Sequence, residues 1–132
     1  MKLLLDTNAY SAFMRGREEV VARVRRSEAV VMSSVVIGEL FFGFRHGTRI
    51  QENLALFDDF LAQPLVEWLP VTLTTADRYA RIAAALRKKG KPIPTNDLWI
   101  AAHTLESGAD LITYDQHFED IDGLPAIVVH SQ

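Results

Sequence analysis

Leu3-Leu4-Leu5-Asp6-Thr7-Asn8 is the stretch from which the rest of the chain can be read. Three consecutive leucines form a short apolar run, the mark of a buried strand. The run stops on three residues that favour turns and helix caps. Tyr10, Phe13 and Met14 follow at helical spacing, so a strand passes into a helix with an acid at the junction.

Working outward, the same alternation repeats. Ala29-Val30-Val31-Met32 reads as a second buried strand, Val66 to Val71 as a third, Leu111-Ile112-Thr113 as a fourth and Ala126 to Val129 as a last. Pro70 puts the third near a sheet edge or at a strand end. Between them, Val20, Val21 and Val24 mark one helix, and Val36, Ile37, Leu40, Phe41 and Phe44 mark a strongly apolar one. A helix from about Thr48 ends before Pro64. Another, capped by Thr74 or Thr75, stops at Gly90, and a last one over 97–106 closes at Gly108. Apolar strands alternating with helices predict an α/β fold. Its sheet is mostly parallel, with about five strands and helices on both faces.

The 132 residues fit one domain, 1–132, with one core. A chain of this size buries roughly two thirds of its unfolded surface and needs no covalent staples. It has no cysteine, which excludes a disulfide framework, a thiol nucleophile and a thiolate zinc site. No apolar run approaches a membrane span, and no signal-peptide core follows Lys2, so the expectation is a cytoplasmic protein without a membrane partner.

Net charge is −3, but it is unevenly spread. Residues 1–91 hold all 14 Lys and Arg with ten acids; residues 92–132 hold seven acids and no Lys or Arg. One part is able to meet phosphates while another concentrates carboxylates.

In an open α/β sheet, ligands bind at the carboxyl ends of the strands. Asp6 follows the first strand and Asp115 follows the Leu111–Thr113 strand; each also reads as a helix cap. Asp97 opens a helix after the stiff loop Lys91-Pro92-Ile93-Pro94-Thr95, where an acid also complements the helix dipole. Glu39 lies within Val35-Val36-Ile37-Gly38-Glu39-Leu40-Phe41-Phe42-Gly43-Phe44. A helix this apolar is expected to be largely buried, and a buried carboxylate needs a partner. That partner is an Arg or a bound cation, unless Glu39 takes the one solvent-facing stripe. Carboxylate ligands select Mg²⁺ or Mn²⁺. One or two such ions at a carboxylate cluster suit phosphodiester cleavage without a His, Cys or Ser nucleophile.

Four motifs occur in order: Leu-Leu-Asp6-Thr7-Asn8, Gly38-Glu39-Leu40, Asn96-Asp97-Leu98-Trp99-Ile100-Ala101-Ala102 and Thr113-Tyr114-Asp115-Gln116-His117-Phe118. In these the chain resembles the PIN domain and, within it, the VapC-type toxins of bacterial toxin–antitoxin pairs. The resemblance runs over nearly the whole length. It implies a three-layer α/β/α sandwich and a Mg²⁺- or Mn²⁺-dependent endoribonuclease. Asp6, Glu39, Asp97 and Asp115 match the family's acidic quartet, as catalytic residues and metal ligands. Asn8 and Thr113 match polar positions beside it. The implied partners are an RNA substrate, a second copy in a homodimer and a cognate antitoxin that occludes the site. Promoter DNA would be bound only through the antitoxin.

Two basic sets remain as candidate RNA contacts: Arg15 and Arg17 with Arg23, Arg25 and Arg26, and Arg87 and Lys88 with Lys89 and Lys91. Each also reads as a solvated helix face. The four His show no metal-ligand spacing. His103 reads as a partly packed helix residue; His117, close to Asp115, reads as locally relevant or as an ordinary structural or exposed loop residue. A haloacid-dehalogenase-like phosphatase would need a second Asp where Asn8 stands and a Lys beyond Lys91. A receiver module would need paired acids after the first strand and the same late Lys. Both lack those residues here. A catalytically silent binding protein is the third alternative, and the presence of all four acids argues against it.

Overall fold

A computed structural model describes residues 1–130. Five strands form one sheet: β1 (Lys2–Leu5), β2 (Ala29–Ser33), β3 (Val66–Leu69), β4 (Asp110–Thr113) and β5 (Ala126–Val128). Their order is β3-β2-β1-β4-β5, and every pairing is parallel. The expected mostly parallel sheet of about five strands is therefore parallel throughout. Leu3, Leu4, Leu5, Val31, Met32, Leu111 and Ile112 are fully enclosed, which is why these strands are continuous apolar runs rather than alternating ones.

Six α-helices and one short 3₁₀ helix connect the strands. Helices α1 (Thr7–Met14) and α2 (Glu18–Arg26) join β1 to β2, and α3 (Ser34–His46) and α4 (Ile50–Leu61) join β2 to β3. Helices α5 (Leu73–Lys89) and α6 (Thr95–Ser107) join β3 to β4, and the 3₁₀ helix (Gln116–Asp120) leads towards β5. The first two connections run one way along the sheet, and the third runs back past β1 to β4. Right-handed crossovers then put α1–α4 on one face and α5–α6 on the other. On the first face Tyr10 meets Phe57 and Phe60 edge-on, with ring centroids 5.8 and 5.2 Å apart. On the second, Tyr79 stacks on Trp99 at 4.1 Å.

Local chemistry explains the boundaries. Gly90 and Gly108 end α5 and α6 in left-handed conformations, at φ 69° and 70°, which glycine adopts without strain. Helix α5 starts earlier than either Thr74 or Thr75 would place it. Thr72 is its cap, in a reciprocal box with Thr75. Helix α4 begins at Ile50 rather than Thr48, and α6 spans 95–107 rather than 97–106. Strand β3 stops at Leu69, one residue before Pro70, and lies at a sheet edge.

One expectation fails. Helix α3 is not largely buried: only Val36 and Leu40 are enclosed, Phe41 is 38 % exposed and Phe42 66 %. Its apolar sequence exceeds what the intramolecular core uses.

The carboxyl ends of two strand pairs carry buried polar side chains. At β2, Ser33 and His103 are both fully buried. His103 Nδ1 lies 2.7 Å from Ser33 Oγ, and its Nε2 lies 3.0 Å from the Pro70 carbonyl. A carbonyl only accepts, so Nε2 carries the proton and Nδ1 accepts from the Ser33 hydroxyl. Ser33 Oγ in turn accepts from the Val35 amide. His103 is thus more deeply buried than its sequence context suggested, and both ring nitrogens are satisfied.

Candidate active site

The strand order changes direction at β1 and β4, which makes their carboxyl ends the crevice where an α/β sheet binds ligands. Asp6 directly follows β1, and Asp115 lies two residues past β4. Asp97 sits in the first turn of α6, and Glu39 in the second turn of α3.

Asp6 is 5 % exposed. Its Oδ1 accepts from the Ala9 amide at 2.9 Å, so it does cap α1. Its Oδ2 accepts from the Thr113 hydroxyl. The same Thr113 oxygen accepts from the Asp115 amide at 3.0 Å, tying the ends of β1 and β4 together. Asp97 Oδ2 accepts from His117 Nε2 at 2.7 Å. Glu39 is half-buried; its Oε1 accepts from Thr7 Oγ1 at 2.6 Å and its Oε2 from Asn96 Nδ2 at 3.3 Å.

These partners are neutral donors or a histidine. Among the described residues no Lys or Arg forms an ion pair with Asp6, Glu39, Asp97 or Asp115. The acids instead feel one another. Burial, reinforced by the nearby charges of Asp115 and Asp97, pushes the Asp6 carboxyl up to about 6 against the hydrogen bonds from Thr113 and Ala9. Burial also raises Asp97. Asp115 and Glu39 add to that, and His117 opposes it. Ligand atoms of Asp97, Asp115 and His117 all lie within 4.8 Å of one another. Carboxylates crowded together without a Lys or Arg partner suit a hard divalent ion with oxygen ligands.

Asp6, Asp97 and Asp115 thus share one crevice, and Glu39 borders it through Asn96, the neighbour of Asp97. Thr113 lies between Asp6 and Asp115. Asn8 is exposed and lines a depression with Ser11, Arg15, Arg17 and Tyr114. Thr7, Asn96 and His117 contact the acids but are not assigned to the site by sequence, although His117 is notable there for its nearness to Asp115. For His117 the available signal was its place two residues after Asp115. Its actual partner, Asp97, lies 20 residues earlier, so spacing did not reveal it. Lys89 Nζ bonds the Asp120 carbonyl and Asp122 Oδ1, both at 2.8 Å, and Lys91 lies 3.4 Å from Asp120 Oδ1.

A parallel α/β sheet with an acidic crevice at its switch point is the class of protein that fold and site define. The chain belongs to the PIN domain family, whose model matches residues 3–124. It is 30% identical over 128 residues to Ribonuclease VapC2 of Haemophilus influenzae, covering 94% of this chain and 95% of that protein. The tRNA(fMet)-specific endonuclease VapC of Salmonella typhimurium is 28% identical with the same coverage. Among solved structures, VapBC-1 from nontypeable Haemophilus influenzae superposes with a TM-score of 0.84 at 30% identity, covering 97% of this chain and 98% of that one. VapBC2 from Rickettsia felis, bound to a DNA fragment from their promoter, gives 0.85 at 25%, covering 98% and 99%.

Proposed function

We propose that this chain is a divalent-metal-dependent endoribonuclease acting as the toxin of a toxin–antitoxin pair, with residues 1–132 as one nuclease domain. The observation that supports this most is the set of acids at the β1/β4 switch point without a Lys or Arg partner. The relatives named ribonucleases and endonucleases agree with RNA as substrate.

In this reading Asp6, Glu39, Asp97 and Asp115 hold one or two Mg²⁺ or Mn²⁺ ions. Held there, the cation would supply Lewis-acid stabilisation of charge on the phosphodiester and would help activate a water. Thr113 orients Asp6 and, through its oxygen, the backbone of Asp115. His117 orients Asp97, and Thr7 and Asn96 hold both oxygens of Glu39. Such supporting contacts fix the direction in which a ligand oxygen points.

A cognate antitoxin is the inhibiting partner, and a second copy completes a homodimer. Promoter DNA is bound only through the antitoxin. VapBC complexes among the similar structures support a protein partner, as do the exposed Phe41 and Phe42 on α3. No helix among the described residues is long and apolar enough to cross a membrane, and the proposed place of action is the cytoplasm.

The test is cleavage of deproteinised total bacterial RNA by the purified protein, read by sequencing new 5′ ends. Discrete new ends are expected with Mn²⁺ or Mg²⁺ and none with EDTA. Cleavage that persists in EDTA, or in Asp97→Asn, would overturn the assignment.

A further inference from the structure

Beside the acids, on the α1 side, lies an open depression of about 290 Å³ lined by Asn8, Ser11, Arg15, Arg17 and Tyr114. Two of these residues fix its position relative to the crevice. Asn8 is two residues from Asp6, and Tyr114 adjoins Asp115. Consecutive Cα atoms are about 3.8 Å apart, so the depression begins within about 4–8 Å of the acids along the backbone. It is the basic neighbour of an acidic site.

An anionic oxygen from outside the lining already touches two of its side chains. Glu19 Oε1 lies 3.5 Å from Arg17 Nε and accepts from Tyr114 Oη at 3.4 Å. A guanidinium and a phenol therefore converge on one carboxylate oxygen. Both contacts are long, and Arg17 is 43 % exposed, so the pairing holds Glu19 weakly. Arg15 is exposed and makes no ion pair among the described residues. The other basic set differs. Lys89 and Lys91 pair with Asp122 and Asp120, tying the end of the 3₁₀ helix and the residues just after it to the end of α5 and the loop that follows.

We infer that the depression formed by Arg15, Arg17, Tyr114, Asn8 and Ser11 is a subsite for an RNA backbone phosphate flanking the one cleaved, and that Glu19 is an internal competitor which the phosphate displaces. The inference rests on the nuclease reading above. Guanidinium, phenol, amide and hydroxyl groups are all phosphate donors. Glu19 keeps Arg17 and Tyr114 converged when no RNA is present. Its removal frees both donors and removes a negative charge from the phosphate's path.

The test is binding of fluorescently labelled bulk bacterial tRNA by anisotropy, in EDTA, from 50 to 200 mM KCl. Phosphate contacts are largely indifferent to sequence, so bulk tRNA is a valid probe whichever RNA is cleaved. The full chain is compared with Arg15→Ala/Arg17→Ala and with Glu19→Gln. The double variant is expected to bind about tenfold more weakly or worse, with a log K against log salt slope shallower by about 1–2. Glu19→Gln is expected to bind several-fold more tightly, an effect opposite in sign to any loss of folding. In Mn²⁺, the double variant is expected to raise KM far more than it lowers kcat. Unchanged affinity and slope in the double variant, or weaker binding by Glu19→Gln, would overturn the subsite. If the parent protein cleaves RNA in Mn²⁺ while both variants bind as it does, the subsite fails and the nuclease reading stands. If the parent cleaves no RNA, the nuclease reading itself fails.

Discussion

Two carboxyl edges of the same sheet handle buried polar groups in opposite ways. At the end of β2, Ser33, His103 and the Pro70 carbonyl form a closed hydrogen-bond chain in which both imidazole nitrogens are satisfied. At the end of β1 and β4, Asp6, Asp97 and Asp115 are gathered with like charges facing one another. The first arrangement lowers the cost of burying polar atoms and has nothing left to bind. The second leaves a negative excess that protonation of Asp6 or a bound cation would relieve. Burial alone therefore does not mark a working site. What separates these two edges is whether the protein completes the electrostatics itself.

The contrast predicts different failures at the two edges. Asp97→Asn is expected to reduce RNA cleavage by at least about a thousandfold, the scale of losing a group that acts directly on developing charge. Initial rates in Mn²⁺, with far-ultraviolet circular dichroism to show retained folding, check this. His103→Ala, at the other edge, is expected to lose about 3 kcal/mol of stability. It opens a cavity and strands the Ser33 hydroxyl and Pro70 carbonyl. Cleavage per folded molecule is expected to persist. Urea denaturation beside a rate measurement separates the two effects, and lost activity in a folded His103→Ala would erase the distinction between the edges.

A pH experiment sharpens the comparison further. The Asp6 carboxyl is held at about 6 in the folded protein, against an ordinary value of 3.8. Its protonated form therefore favours folding. That contribution is whole below about pH 4 and is lost as pH rises through about 6. In EDTA the parent is expected to lose about 2–3 kcal/mol relative to Asp6→Asn between pH 4 and pH 7.5. A pH-independent difference in urea stability would contradict a buried, uncompensated Asp6. The smallest effect is expected from His117→Ala, which removes the hydrogen bond that orients Asp97. Mn²⁺ affinity is expected to fall about tenfold, the lower end for loss of a supporting contact.

Much of the fold was legible because the strands are nearly pure apolar runs and the breaks are chemical. Leu3–Leu5 stops at Asp6, Pro70 marks an edge strand, and Gly90 and Gly108 end helices. The strand-end rule drew attention to Asp6 and Asp115 without any comparison. Glu39 was singled out on a premise the structure reverses. Helix α3 exposes Phe41 and Phe42, and Glu39 is held by Thr7 and Asn96 rather than enclosed. Apolar composition measures everything a helix must cover, including surface kept for other chains, so it overstates intramolecular burial. His117 stands out in sequence for its nearness to Asp115, but its contact with Asp97 escaped because its 3₁₀ turn brings it to a helix start that no periodicity connects to it. His103 was read as partly packed because sequence shows a helix face but not the sheet edge beneath it.

The central claim is that the β1/β4 edge needs a divalent cation to complete it and the β2 edge does not. Calorimetric titration of Mn²⁺ into the metal-free protein at pH 7.5 tests this most directly. The parent and His103→Ala are expected to bind with equal affinity, and Asp6→Asn and Asp97→Asn at least about tenfold more weakly. Equal Mn²⁺ affinity in all four proteins, or no binding by the parent, would contradict it.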